Sequence, residues 1–226
     1  MEKHFKSSES VQDMVIGMSD GLTVPFALAA GLSGAVSNSG IIVTAGVAEI
    51  IAGSIAMGLG GYLAGKAEVN HYSAELKREY YEVEVFPEKE RQEVKDVFRD
   101  YGLSEHLQEE IVNELSKDKD KWVEFMMRFE LELSEPDVNR PWKSALTIAA
   151  SYILGGAIPM IPYFFTEDSE TGLRISAGLT LVALFFFGMF KSKVTGQLLF
   201  TGALKVTFIG AIAAIAAYSI AKFMGV

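Results

Sequence analysis

Glutamates recur at helical spacing in the middle of this 226-residue chain. Glu79 and Glu82 are three apart, and so are Glu90 and Glu93. Residues three or four apart share a helix face, so each pair can present two carboxylates to one cation. Further on, Met126 stands four residues and Met127 three residues before Glu130. Thioether and carboxylate then converge on one side of a helix. Helical hairpins that turn such faces inward form an oxygen-rich site with a soft sulfur edge. Carboxylates suit divalent cations in general, whereas a thioether favours Fe2+, Mn2+ or later transition metals over Mg2+ and Ca2+. Each pair also has a plain explanation, because glutamates at this spacing commonly form a solvated face and Met beside Phe commonly forms core. A ferritin-like di-iron site is a rival use of the same residues, but such sites are built with Glu-x-x-His motifs. The histidines are His4, His71 and His106, and Glu68 with His71 is a solitary match.

A second set of chemical residues lies in apolar sequence. Asp20, Glu49 and Lys205 are ionisable groups inside stretches that otherwise suit a bilayer, and such groups are expensive there unless they have a function. Asp20 lies six residues into its stretch, and Met57 lies eight residues from the end of the next. At about 1.5 Å per residue the two are expected at a similar depth, with Glu49 roughly 12 Å further along. This offers a divalent cation a carboxylate and a thioether, then a deeper carboxylate. Pro25 donates no hydrogen bond and crowds the carbonyl four residues back, that of Gly21, beside Asp20. Lys205 stands near the start of its stretch, where a long side chain can snorkel to the surface.

The elements that must position these residues follow from where the charge sits. The chain carries a net charge of −9 and is half hydrophobic, with a mean hydropathy of +0.24. Residues 66–136 hold 20 acidic and 11 basic residues, and the remaining residues hold nine of each. One acidic block therefore accounts for the whole imbalance. Such a balance excludes a general nucleic-acid binder, which needs basic patches for phosphates. The absence of cysteine excludes disulfide scaffolds, Cys-ligated zinc, Fe–S clusters and thiol catalysis. Crossing a bilayer takes roughly 20 apolar residues, and five segments qualify: about 14–36, 40–65, 142–165, 172–191 and 201–224. The expected fold class is an all-α membrane protein with five transmembrane helices and a cytosolic helical insert between spans two and three. The expected divisions are 1–65, 66–136 and 137–226. No removable signal peptide is read at the N-terminus. Lys3, Lys6, Lys66, Arg140, Lys143, Lys191 and Lys193 fall on one side against Arg174 and Lys222 on the other, which places the N-terminus and the acidic block in the cytosol and the C-terminus opposite.

Small residues stand four apart at Gly17 and Gly21, Gly61 and Gly65, and Ser151 and Gly155, the spacing of close helix crossings in lipid. Packing within one bundle is their simplest use, but five helices alone make an awkward transporter and a homodimer would supply ten. In the acidic block the second span is expected to run on unbroken to about residue 85. Pro87 and Gly102 suit the start and end of a following helix, Ser104 suits an N-cap, and a last helix stops before Pro136. Val94, Val97, Phe98, Ile111, Leu115, Trp122, Phe125 and Phe129 are its candidate core.

The run DGLTVPFALAAGLSG, from Asp20 to Gly34, closely resembles the signature of the vacuolar iron transporter family. The likeness continues through EIIAGSIAMGLGGYLAGKAE, from Glu49 to Glu68, into the acidic helices, and the start, EKHF, looks like plant members. The resemblance implies a five-span homodimer in the vacuolar membrane that moves Fe2+ out of the cytosol by proton antiport. It implies no prosthetic group, with Zn2+, Mn2+, Co2+ or Ni2+ as alternative cargo, and membrane lipid and protons as its other partners. By motif match, Asp20, Glu49 and Met57 would form the translocation pathway. Glu79, Glu82, Glu90, Glu93, Met126, Met127 and Glu130 would collect metal in the cytosol. Two other classes compete: a membrane-anchored ferroxidase and a metal sensor using the same glutamates.

Overall fold

The structure is a computed structural model that describes residues 9–224. Lys3 and Lys6 of the orientation argument, His4, and the EKHF run lie outside the described residues. Eight α-helices follow one another: α1 (Glu9–Ala35), α2 (Ser39–Val85), α3 (Pro87–Asp100), α4 (Glu105–Leu115), α5 (Lys119–Phe125), α6 (Arg140–Met160), α7 (Ser169–Val194) and α8 (Leu199–Met224). No strand occurs among the described residues. Five helical segments are long and apolar enough to cross a membrane: Glu9–Ala35, Ser39–Val85, Arg140–Phe164, Ser169–Val194 and Leu199–Met224. Their outward faces are apolar, as at Ile55, Phe186, Phe208 and Ile215, each 64–67% exposed. Such faces suit lipid rather than water.

The chain divides into two compact units, one of Ala64–Arg140 and one formed by the described parts of Met1–Leu63 and Pro141–Val226. In the apolar unit, glycines set the distances between helices. A Cβ at Gly17 or Gly21 of α1 would collide with the Ile148 or Tyr152 carbonyl of α6. From the other side, a Cβ at Gly155 of α6 would stand 3.1 Å from the Gly21 carbonyl carbon. The α2 glycines face α6 as well: Gly61 meets Ser144 and Ile148, Gly53 meets the Tyr152 ring, and Gly46 meets Met160. Close backbone approach is a main source of helix association in lipid. The pairs Gly17–Gly21 and Ser151–Gly155 thus serve one crossing inside the chain. α1 also packs on α7 and α8. The α1–α2 and α6–α7 connections pair through Ser39 N–H to the Glu167 carbonyl and Ser169 N–H to the Ser37 carbonyl, both 3.1 Å. Pro25 does not break α1, which runs through it unbroken.

In the acidic unit, Pro87 occupies the first turn of α3. Gly102 follows with a φ of +80°, a left-handed conformation that glycine adopts without a Cβ clash. Ser104 stands at the N-terminal position of α4 but its hydroxyl makes no capping hydrogen bond. Asp118 caps α5, accepting from the Lys121 N–H. The last helix departs from the expected regular one. After Phe125 the chain widens into a π-helical turn, Met126–Glu130, where the Leu131 N–H bonds the carbonyl of Met126, five residues back. Glu132 then takes a φ of +54°. The core is Val83, Val94, Val112, Trp122, Val123, Met126 and Met127, with Phe98, Leu115 and Phe125 packed against it. Phe129, expected in this core, is 47% exposed.

The glycine contacts have a measurable consequence. Gly21→Ala should lower the melting temperature of the detergent-solubilised chain, by overpacking worth about 1–3 kcal/mol. Gly178→Ala, where nothing lies within 4 Å of the added Cβ, should leave it unchanged. Equal melting temperatures for all three proteins would contradict the α1–α6 crossing.

Candidate metal cluster and intramembrane site

The carboxylate spacing along α2 and α3 determines the cluster. Glu79 and Glu82 lie on α2 beyond its apolar stretch, Glu90 and Glu93 lie on the first turns of α3, and Glu130 ends the π-helical turn. One carboxylate oxygen each of Glu79, Glu82 and Glu90 lies within 4.8 Å of the others, and the same holds for Glu90, Glu93 and Glu130. Glu90 is common to both groups. Its side chain is completely buried, Glu79 is 3% exposed, and Glu130 is the most exposed of the five. Glu79 Oε2 and Glu90 Oε2 are buried without a hydrogen-bond partner. The rim does carry partners. Arg78 Nε donates to Glu82 at 3.0 Å, and Lys89 Nζ lies 2.8 Å from Glu93 and 3.5 Å from Glu90.

Burial and mutual repulsion tell on the protonation of these groups. Loss of hydration, then the charges of Glu130 and Glu90, push Glu79 from its ordinary 4.5 up to about 7. Loss of hydration, then Glu93, push Glu90 up to about 7. Glu130 is raised too, first by burial and then by Glu93. A raised carboxyl holds its proton at a pH where a free one has lost it, so a proton and a divalent cation compete for these oxygens.

Met126 and Met127 are 0% and 2% exposed and belong to the apolar core, while Glu130, in the same widened turn, joins the carboxylates. The histidines stand apart. His71 and His106 pair with Glu75 and Glu110 at 4.0 and 3.8 Å, and neither joins a carboxylate group among the described residues.

In the apolar unit, α1, α2 and α6 converge at Tyr152. Its hydroxyl donates a short hydrogen bond to Glu49 Oε1, while Glu49 Oε2 is buried with no partner. Gly53, one turn on from Glu49, leaves room for the phenol ring, and Gly21 packs on the Tyr152 carbonyl. Asp20 directly precedes Gly21 in α1, so the carboxylates Asp20 and Glu49 stand on the two helices that meet α6 at Tyr152. Gly21 meets the main chain of Tyr152 and Gly53 the hydroxyl end of its side chain. Met57 is half-buried. Lys205, near the start of α8, is exposed.

Sequence reasoning passed over Tyr152, whose signal was a phenol in mid-span. It also passed over Asp13, which is 4% exposed on the α1 face that carries Gly17 and Gly21. The expected span began at residue 14, one position too late to include it.

The model of the VIT family matches residues 11–222. The chain belongs to the VIT family. It is 50% identical over 221 residues to "Vacuolar iron transporter 1" of Oryza sativa subsp. japonica, covering 98% of this chain and 88% of that protein. It is 51% identical to "Vacuolar iron transporter 1" of Arabidopsis thaliana over the same shares. "Protein CCC1" of Saccharomyces cerevisiae is 38% identical, covering 95% of this chain and 69% of that protein. The family match spans both the tyrosine-centred site and the glutamate cluster.

The raised carboxyls fix the sign of a pH effect. Glu79 and Glu90 bind protons more tightly in the folded chain than unfolded, so their contribution to stability falls as pH rises from about 4.5 through about 7. The melting temperature of chelator-treated protein should fall between pH 5 and about pH 8. Mn2+ should restore it at the upper end, and Glu79→Gln with Glu90→Gln should flatten the profile. A rise over the same window, followed by thermal melts, would contradict the assignment.

Proposed function

We propose that this chain is a secondary transporter, not an enzyme, which moves Fe2+ from the cytosol into the vacuole in exchange for protons. The relatives near 50% identity are named vacuolar iron transporters, and the five candidate spans fit a multi-pass membrane protein. The observation that carries the chemical part is the set of buried carboxylate oxygens with no partner, Glu79 Oε2 and Glu90 Oε2 in the cluster and Glu49 Oε2 in the spans. A buried carboxylate oxygen is costly unless a hydrogen-bond donor or a cation reaches it. In this reading 66–136 is a cytosolic collecting domain. Glu79, Glu82, Glu90, Glu93 and Glu130 supply oxygen ligands, and Met126 and Met127 supply thioether sulfur from the adjoining core. A thioether favours Fe2+ over Mg2+ or Ca2+, and Zn2+, Mn2+, Co2+ and Ni2+ are alternative cargo.

Translocation then uses Asp20 and Met57 at a similar depth, and Glu49 about two turns further along α2. Tyr152 holds one oxygen of Glu49 and leaves the other for the ion. A proton and a divalent cation compete for the same carboxylate oxygens, so acid on the vacuolar side releases the metal and a returning proton resets the site. The transporting form in this reading is a homodimer with its C-termini in the vacuole.

Fe2+ flux into liposomes with an acidic interior tests this function. Asp20→Ala and Glu49→Gln should each cut the gradient-driven rate at least about tenfold, and collapsing the proton gradient should do the same to the unmodified chain. Flux that survives both treatments would rule out proton antiport through these carboxylates.

A further inference from the structure

The same short pattern stands on both helices that build the glutamate cluster. Residues 78–82 read Arg-Glu-Tyr-Tyr-Glu and residues 89–93 read Lys-Glu-Arg-Gln-Glu. In each, a basic residue directly precedes the buried glutamate, Glu79 or Glu90, and stands four before the half-buried one, Glu82 or Glu93. Helical spacing lets the basic side chain reach the second glutamate, and both do. Arg78 Nε meets Glu82 Oε1 at 3.0 Å, and Lys89 Nζ meets Glu93 Oε1 at 2.8 Å. Lys89 also lies 3.5 Å from Glu90 Oε1, and Arg78 Nη1 lies 3.8 Å from Glu75. The basic side chains are 62% and 60% exposed, so each can swing into water on its flexible stem.

We propose that Arg78 and Lys89 are displaceable counter-ions that set the metal affinity of the cluster, an inference that rests on reading the cluster as a metal site. Glu82 and Glu93 belong to the two three-carboxylate groups, so a divalent cation binding there competes with the guanidinium or the ammonium. The two cations also lessen repulsion among Glu79, Glu82, Glu90, Glu93 and Glu130, which lowers the free energy of the chain before the metal arrives. Both effects weaken metal binding and none strengthens it. A cluster that hands its cargo on gains from this, since an ammonium on a mobile stem can reoccupy the oxygen as the metal leaves.

Titrating the full-length chain in detergent with Mn2+, with free Mn2+ followed by electron paramagnetic resonance, tests the proposal. Lys89→Gln and Arg78→Gln should each tighten binding about tenfold, while Lys89→Arg should stay close to the unmodified chain. Lys117→Gln removes a lysine of similar exposure, paired to Glu114 at 2.7 Å outside the cluster, and should change affinity less than about twofold. Unchanged or weaker binding in Lys89→Gln and Arg78→Gln, or an equal gain in Lys117→Gln, would overturn the counter-ion role. Glu90→Gln separates the two levels. If it abolishes the binding while Lys89→Gln and Arg78→Gln do nothing, only the counter-ion role fails. If the binding survives Glu90→Gln, the cluster is not the metal site and both fail.

Discussion

An ionised carboxylate loses far more hydration on burial than one hydrogen bond returns. Glu79 and Glu90 meet that constraint within a few ångströms of three other carboxylates. Each has an oxygen shut away from water with no donor. Two outcomes relieve the charge, a bound proton or a bound cation, and the carboxyls are raised toward neutral pH. The rest of the acidic unit serves to impose this condition. Pro87 starts α3 so that Glu90 falls in its first turn, and a core of Val83, Val94, Trp122 and the two methionines holds α2, α3 and the π-helical turn together.

The apolar unit meets the same constraint by different means. Glycines on α1 and α2 let both helices approach α6 at Tyr152, whose hydroxyl meets Glu49. Tyr152 satisfies one oxygen of Glu49 and leaves the other bare. The two sites share a logic: the fold satisfies part of a carboxylate and leaves part for a cation. One uses helical spacing on neighbouring helices, and the other uses close crossings of long ones.

Much of this was legible in the residues. Five apolar segments long enough for a bilayer produced five candidate spans, because length and hydropathy are local properties. The glutamate pairs at three-residue spacing were legible for the same reason, and the two pairs do meet. Features that depend on tertiary contact were not. The crossings of α1 and α2 with α6 rest on glycines that meet particular α6 residues, and no apolar window records those contacts. The π-helical turn interrupts a stretch that reads as ordinary helix, since the change is one of hydrogen-bond register. Met126 and Met127 sit at the spacing of a ligand face but also at the spacing of a core, and the structure places them in the core. Tyr152 escaped notice because a tyrosine in a span is unremarkable until a carboxylate is found beside it.

Competition between protons and metal for the buried carboxylates is open to direct measurement. A divalent cation that binds Glu79 and Glu90 near pH 6.5 must displace protons from carboxyls raised to about 7. Adding Mn2+ to weakly buffered, full-length protein at about pH 6.5, with a pH indicator as readout, should release protons in saturable proportion to the metal bound. The release should shrink toward zero above about pH 8.5 and disappear when Glu79 and Glu90 are both replaced by glutamine. Saturable Mn2+ binding with no proton release at pH 6.5, or release that persists in the double variant, would contradict it.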